Sequence, residues 1–287
     1  MNDALTPDKL QMRRSFGKAA RTYDEAAVLQ REVGTRALER LELVKVDPSA
    51  ILDAGCGTGF AAHALHERYP RATLIGFDIA ETMLQAARAR VPSWKKWLGR
   101  NRDIFVCGDN ERLPLRAASV DMVWSNLAYQ WAIDLPAVFA ECQRVLRPGG
   151  LLIFTTLGPD TLKELRAATA GAVRVNRFID MHDIGDMMLG AGLTDPVMDM
   201  EYLTLTYADA RSLMRELKAI GAHNVAEGRP RGLTGRRTLQ QIEERYESFR
   251  ENGRLPATFE VVYGHAWKPL PRVGPGGRLV IDIKARR

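Results

Sequence analysis

The chain has 287 residues, of which 46% are hydrophobic and 26% are charged, an ordinary composition for a globular protein. No apolar run approaches the roughly 20 residues of a membrane span. The polar segment 1–14 lacks the apolar stretch of a signal peptide. We therefore expect a cytoplasmic protein with no membrane partner, long enough for one α/β domain with an insertion or for two small domains.

The formal net charge is +6 and the isoelectric point is about 9.3. Six Lys and Arg residues but only one acidic residue, Asp282, lie in the segment 268–287, so this tail carries +5. Such a tail can attract nucleic acid, an acidic protein or nothing specific. The chain has three cysteines, Cys56, Cys107 and Cys142. Because their number is odd and their spacing is not that of a metal site, we expect reduced thiols and no metal.

The sequence ILDAGCGTGF over residues 51–60 predicts a buried strand, a glycine-rich turn and the start of a helix. Glycine lets the backbone approach a ligand closely, and a helix N-terminus presents free N–H groups. The dinucleotide-binding fingerprint would require glycine where Phe60 stands. The pattern D-x-G-x-G-x-G instead resembles the nucleoside-binding turn of class I S-adenosylmethionine (SAM) methyltransferases, although an ordinary βα turn is the alternative. The predicted binding residues of this turn are Asp53, Gly55, Gly57 and Gly59.

A second acidic signal follows at Asp78, which ends the next predicted strand, 73–78. It lies close to the ~20-residue offset at which a carboxylate meets ribose hydroxyls. The alternative is an N-cap for a helix over 81–90, and Asp78 could serve both roles.

Strands and helices then alternate, which indicates a doubly wound α/β fold with a mostly parallel sheet. Ligands of such sheets bind beyond the carboxyl ends of the strands. Several candidate residues fall there. Asp109 can accept from an adenine amino group, and the Asn110 backbone N–H can donate to the ring, although Asp109 could simply form a turn. The predicted strands are 50–54, 73–78, 103–107, 120–125 and 150–156, and the polar residues at their ends are Asp53, Asp78, Asp109, Asn110 and Asn126.

The exit from the fourth strand reads SNLAYQW over 125–131 and contains no N-P-P-Y motif of the kind used on nucleic-acid nitrogens. Tyr129, Gln130 and Trp131 are predicted walls and donors around a small acceptor pocket. Aromatic core packing is the alternative.

Residues 7–45 are predicted to be helical. Phe16, Ala19, Ala20 and Tyr23 recur on one helical face. This face could simply pack on the domain, or it could form a lid with Tyr23 pointing into the cleft. The pattern F-x-x-A-A-x-x-Y-D resembles the leading segment of several small-molecule methyltransferases.

A helical insertion is predicted between the last two strands, 197–207 and 257–267, with helices over 209–220 and 239–252. Inserted segments on the active-site side commonly select the substrate. The predicted domains are an N-terminal lid over 1–45, a Rossmann-like SAM-binding core over 46–207, a substrate insertion over 208–256, a last core strand over 257–268 and a basic tail over 269–287.

These segments together resemble the malonyl-[acyl-carrier protein] O-methyltransferases of biotin synthesis. The resemblance covers about residues 13–265, and its most specific part is LKAIGA over 217–222. It implies a class I methyltransferase fold: a seven-stranded, mostly parallel sheet with helices on both faces and a helical insertion before the last strand. It also implies methyl transfer from SAM, with S-adenosylhomocysteine as product, to the free carboxylate of an acidic malonyl-acyl carrier protein.

The resemblance does not decide which arginine holds the malonyl carboxylate. The candidates are Arg177, Arg215 and Arg229, and Arg177 is the first choice because it precedes a helix on the cleft side. No base is implied, because a malonyl carboxylate is already ionised at neutral pH. The basic residues predicted to receive the acidic carrier protein are Arg229, Arg231, Arg236 and Arg237.

Two other functions stay open. An RNA methyltransferase would suit the basic isoelectric point, but the sequence contains no recognisable RNA-binding module. An arginine-modifying assembly factor of respiratory complex I, with the same fold, resembles parts of 154–267.

Overall fold

The computed structural model describes residues 9–91, 103–169, 178–221 and 236–271. In those ranges it contains ten α-helices and seven strands, and none of these helices is long and apolar enough to cross a membrane. In chain order the elements are α1 (Lys9–Ala19), α2 (Tyr23–Ala26), α3 (Val28–Arg40), β1 (Ala50–Ala54), α4 (Phe60–Arg68), β2 (Thr73–Asp78), α5 (Glu81–Arg90), β3 (Ile104–Cys107), β4 (Val120–Ser125), α6 (Leu135–Val145), β5 (Leu146–Leu157), α7 (Lys163–Thr169), α8 (Met181–Gly190), β6 (Thr194–Tyr207), α9 (Ala210–Ala219), α10 (Arg236–Glu247) and β7 (Leu255–Trp267).

The seven strands form one sheet in the order β3-β2-β1-β4-β5-β7-β6. Strands β1 to β5 pair in parallel, whereas β7 runs antiparallel to both β5 and β6. The chain order reverses between β1 and β4, so the carboxyl ends of these two strands open the crevice in which such folds bind ligands. The predicted fold class, a mostly parallel seven-stranded sheet with an insertion before the last strand, is confirmed.

Both faces of the sheet are covered by helices because the central strands are apolar on both sides. Ile51 of β1 belongs to the apolar cluster under α3, α4 and α10, and its neighbour Leu52 belongs to the cluster under α6 and α8. Leu151 and Leu152 of β5 divide between the two clusters in the same way. The strands are therefore held rigidly, and their carboxyl ends present a fixed platform.

The helical N-terminal segment divides into two parts. Helix α3 packs on the sheet, where Leu29 and Val33 join the same cluster as Ile51. Helix α1 instead packs Ala19 against Ala80 and Met83, at the start of α5. Helices α1 and α2 therefore lie over the carboxyl end of β2, while α3 is part of the core.

Several predicted boundaries are wrong. Strands β6 and β7 begin at Thr194 and Leu255 rather than at residues 197 and 257. Strand β5 begins at Leu146 rather than at residue 150, because Leu146 already pairs with Val120 before a register shift. The predicted helix 239–252 lies at Arg236–Glu247, because the chain then turns back through Asn252 (φ 48°) and Gly253 (φ 77°). That turn aligns β7 with β6.

Two leucines of the 3₁₀ turn that follows α3 can test whether the N-terminal segment packs into the core. Leu41 is 0% exposed and Leu43 is 86% exposed. We expect Leu41→Ala to lower the free energy of unfolding by about 2–5 kcal/mol, because it leaves a cavity, and Leu43→Ala to change it by less than about 0.5 kcal/mol. Urea unfolding measures both. Equal effects would mean that this segment does not belong to the cooperative core.

Candidate active site

A cleft with an empty volume of about 720 Å³ lies at the carboxyl ends of β1, β2 and β4. The glycine turn forms its floor, and α1 and α2 form its roof. Residues from the roof are Lys9, Met12, Phe16 and Tyr23, and residues from the strand ends are Gly55, Gly57, Asp78, Asp109, Asn110 and Asn126.

The glycine turn has a backbone conformation that residues other than glycine rarely adopt. Gly55, Gly57 and Gly59 have φ of 89°, 54° and 80°. A Cβ atom on Gly55 would lie 2.3 Å from the Cβ of Ala128. The Gly55 and Cys56 amides both donate to the Phe77 carbonyl, at 2.7 and 2.9 Å. The turn is therefore pinned to β2 while its inner side stays open to the cleft.

Asp78 ends β2 beneath this turn. Its Oδ2 accepts from the Gly57 amide at 3.0 Å and its Oδ1 accepts from the Ala80 amide at 2.8 Å. The N-cap of α5 is Ala80, so Asp78 serves the start of that helix without being its cap residue. Burial raises the pKa of Asp78 to about 6, although its backbone hydrogen bonds act in the opposite direction.

Asp53 lies beside it at the end of β1. Its side chain is buried, and its Oδ2 has no hydrogen-bond partner in the described ranges. Burial, followed by the charge of Asp78, raises the pKa of Asp53 to about 8. A buried acceptor without a donor is costly, so this carboxylate is suited to a cationic or hydrogen-bonding ligand.

The far end of the cleft contains Asp109 and Asn110. Asp109 accepts the Glu111 amide at 3.0 Å and also forms an ion pair with Lys9. The Asn110 Oδ1 atom is buried and has no partner in the part of the chain described. The sequence indicated the Asn110 backbone as a ligand group, but its side-chain oxygen is the vacant acceptor. Lys9 could not be identified from local sequence patterns, because its partners lie about a hundred residues away in the chain.

Asn126 is held by both of its amide atoms. Its Nδ2 donates to the Gln30 carbonyl of α3 at 2.8 Å, and its Oδ1 accepts from the Thr155 hydroxyl at 2.8 Å. The side chain thus joins α3 to β5 at the edge of the cleft. Its geometry is that of a rigid wall.

The side chains of Tyr129, Gln130 and Trp131, which follow β4, point in different directions. Tyr129 is 2% exposed, and its hydroxyl lies 3.3 Å from the Cys142 sulfur. Its ring also meets Phe139 edge-on, so this hydroxyl faces the core and not an acceptor, as aromatic core packing implies. Gln130 Nε2 donates to the Leu127 carbonyl at 2.7 Å.

Trp131 borders the cleft and meets the Phe16 ring edge-on, with 5.3 Å between ring centroids. This contact closes one side of the roof over the strand ends.

Tyr23 lies in the roof and borders the cleft. Burial raises the pKa of its hydroxyl, and Asp78 and Asp24 add to the effect, so Tyr23 is a neutral phenol at neutral pH. The next residue, Asp24, accepts from the Thr58 hydroxyl at 2.6 Å and forms an ion pair with Arg90. Asp24 thereby fastens α2 to the glycine turn. The pattern that ends in Y-D contained this signal, but only Tyr23 was identified from it.

A second compartment, with an empty volume of about 930 Å³, adjoins the first and shares Tyr23, Gly55, Gly57 and Asn126 with it. Asp53 lies in this compartment, together with the cations Arg31 and Arg90. The two compartments therefore lie side by side at the glycine turn.

Most of the predicted arginines cannot be placed at the site. Arg177, Arg229 and Arg231 lie outside the described residues, and only the backbone of Arg236 is described. Arg215 is exposed on α9, where its Nη2 lies 3.0 Å from the Ser212 hydroxyl. It lines a surface groove of the insertion.

Comparison with known proteins assigns the family. A family model described as "Methyltransferase domain" matches residues 52–154. A malonyl-[acyl-carrier protein] O-methyltransferase of Methylovorus sp. is 58% identical, over 99% of this chain and 97% of that protein. The chain belongs to this family. Another malonyl-[acyl-carrier protein] O-methyltransferase, from Gallionella capsiferriformans, is 57% identical over 96% of each chain. The resemblance seen in the sequence is confirmed, and this protein is a methyltransferase.

Solved structures agree on the fold. A putative methyltransferase from Bacillus halodurans has a TM-score of 0.57 at 19% identity, with 81% of this chain and 98% of that chain covered. A phosphoethanolamine N-methyltransferase 2 from Haemonchus contortus, complexed with phosphomonomethylethanolamine and S-adenosylhomocysteine, has a TM-score of 0.53 at 18% identity, with 82% and 52% covered. At these identities the likeness concerns the fold alone.

A substitution at Gly55 would have two effects, a clash with Ala128 and the strain of a side chain at positive φ. A matched control variant separates them. Gly253 also has a positive φ, 77°, but nothing lies within 4 Å of a Cβ placed there. We expect Gly253→Ala to lower stability by roughly 1 kcal/mol from strain alone and to leave ligand binding unchanged. Gly55→Ala adds the clash with Ala128 and should abolish SAM binding, measured by calorimetry. Retained affinity in Gly55→Ala would contradict the close-approach argument.

Proposed function

We propose that this methyltransferase transfers the methyl group of SAM to the free carboxylate of malonyl-acyl carrier protein. The product is a methyl ester that fatty-acid synthesis can extend toward the pimeloyl thioester of biotin synthesis. The observation that supports this most strongly is 58% identity over nearly the whole length of a relative that bears this name.

The residues of the site fit the donor. The vacant buried carboxylate of Asp53 suits the ammonium group of the methionine moiety. Asp78 can accept from ribose hydroxyls, and the vacant Asn110 Oδ1 can accept from an adenine amino group. Asp109, already paired with Lys9, would close the adenine end. When bound, SAM supplies an electrophilic methyl group on a sulfonium.

The acceptor requires no proton removal, because a carboxyl group with a pKa near 4 is ionised at neutral pH. The protein's contribution is therefore alignment, and positioning two reactants can supply roughly 7–11 kcal/mol of the barrier. A neutral Tyr23 and the Phe16–Trp131 contact would exclude water from the reacting groups. An anion and a cation neutralise one another in this reaction, so a dry site favours it.

The malonyl carboxylate needs a cationic partner that holds it in place. Arg177 remains our first candidate, because a guanidinium can hold a carboxylate through two parallel hydrogen bonds. Arg31 lines the second compartment and is a further candidate to contact an anionic group of donor or acceptor, whereas Arg90, also there, is paired with Asp24. Gln130, held against the Leu127 carbonyl, would support the acceptor wall.

Mass spectrometry tests the proposal directly. Malonyl-carrier protein incubated with the enzyme and SAM should gain the mass of one methylene, and the added group should be released by mild ester hydrolysis. Acetyl-carrier protein, which has no free carboxylate, should remain unchanged. Methylation of both substrates, or of neither, would overturn the proposal.

Donor binding should be coupled to proton release. Asp53, with a pKa of about 8, is mostly protonated at pH 7 in the free enzyme, and a cationic ligand favours its ionised form. Affinity for SAM should therefore rise with pH up to about 8 and then level off. Calorimetry in two buffers of different ionisation enthalpy should detect the released proton.

The matched variant Asp53→Asn keeps the shape of the side chain and cannot ionise. Proton release equal to that of the parent would contradict the role of Asp53. The same raised pKa predicts that the ligand-free protein loses stability as pH rises from about 4 to 8, because the native state binds more protons than the unfolded state there.

A further inference from the structure

Helix α1 and the turn after it present an uninterrupted basic surface. The segment 9–22 contains five Lys or Arg residues and no Asp or Glu. Its apolar face, with Met12 and Ala19, is buried. Arg14, Lys18 and Arg21 lie on the opposite, exposed side. None of these three cations pairs with a carboxylate in the described ranges.

Helix α9 of the insertion presents a second basic face. Arg211, Arg215 and Lys218 are four and three residues apart and therefore share one side of the helix, which is exposed. Glu243 of α10 holds Arg211 through two contacts. Among the residues that the structure describes, Arg215 and Lys218 form no ion pair, although the charge of Arg215 also acts on Asp209. Both cations are therefore available to a partner molecule.

The two basic faces meet at the mouth of the cleft. The Thr22 hydroxyl donates to the Ala219 carbonyl at 3.2 Å, so Arg21 and Lys218, the residues just before them, flank this contact. Close by, a Cβ on Gly221 would lie 3.0 Å from the Phe16 ring. Phe16 itself lines the cleft, so the joined basic surface borders the entrance to the site.

The insertion also provides an apolar floor next to these charges. A surface groove is lined by Met214 of α9 and Leu239 of α10. Three cations, Arg211, Arg215 and Lys218, and one carboxylate, Asp209, complete its lining. An apolar floor with a basic rim is complementary to an amphipathic acidic surface. Methionine adapts readily to the shape of such a partner.

We propose that this mouth surface, comprising Arg14, Lys18, Arg21, Arg215 and Lys218, docks the acidic carrier protein. The proposal rests on the proposed function, and it places the partner on α1 and α9. Docking there brings the thioester arm to the cleft beside Phe16. Charge complementarity steers the encounter and sets its salt dependence, while the reacting groups inside the cleft are untouched.

Two charge-matched double variants provide the test. Arg21→Glu/Lys218→Glu reverses one Arg and one Lys of the mouth surface. Lys45→Glu/Arg71→Glu makes the same charge change at exposed positions before β1 and β2, at the opposite end of the sheet. Initial rates are measured with malonyl-carrier protein and with malonyl-pantetheine, which has the same reacting group without the protein.

We expect Arg21→Glu/Lys218→Glu to lower kcat/KM for malonyl-carrier protein about tenfold or more at low salt, and the difference to shrink at high salt. Turnover of malonyl-pantetheine should match the parent, and the control variant should lose less than about twofold on either substrate. Equal unfolding midpoints of the three proteins show that the variants are folded.

Other outcomes overturn the docking surface. Equal losses in both variants would mean that only net charge matters, and a parallel loss on malonyl-pantetheine would mean that these cations act inside the site. Tighter binding of the parent to bulk tRNA or to phosphatidylglycerol vesicles than to carrier protein at equal salt would assign the surface to another anion. Failure of the parent to methylate either malonyl thioester would instead refute the proposed function.

Discussion

The hydrogen bond from the Gly57 amide to the Asp78 carboxylate joins the two strands on which the site is built. It couples a turn that only glycine accommodates to an acid at the end of the neighbouring parallel strand. Both are held by the sheet, since the Gly55 and Cys56 amides also bond to β2. A ligand therefore meets a preformed backbone surface, and little ordering remains to be paid for on binding.

The rest of the site is arranged around this junction. Helix α2 is fastened to the turn through Asp24 and Thr58, and α1 is fastened to the far end of the cleft through Lys9 and Asp109. These polar contacts, together with the packing of Ala19 against Ala80 and Met83, hold the roof as a layer over the floor of the cleft. Such a layer can exclude water when closed, which suits a reaction that neutralises opposite charges.

The parallel core was predictable because its strands are continuous apolar runs with glycine or acidic residues at their ends. Strands β1, β2 and β4 lie where the sequence placed them. The ends of β5 and of helix α10 were not predictable, because long-range pairing and a left-handed turn at Asn252 determine them. Asp53 and Asp78 were correctly predicted to lie close together, because both lie at the ends of predicted parallel strands. The direction of the Tyr129 hydroxyl and the Lys9 ion pair depend on tertiary packing that local patterns do not encode.

Calorimetric titration of SAM into the parent and Asp78→Asn tests the central claim most directly. The substitution preserves the shape of the side chain and removes its charge. We predict measurable binding by the parent and an affinity lower by roughly ten- to a hundredfold in the variant, equivalent to about 1.5–3 kcal/mol for a hydrogen bond to a charged group. Equal affinity in the two proteins would contradict the account.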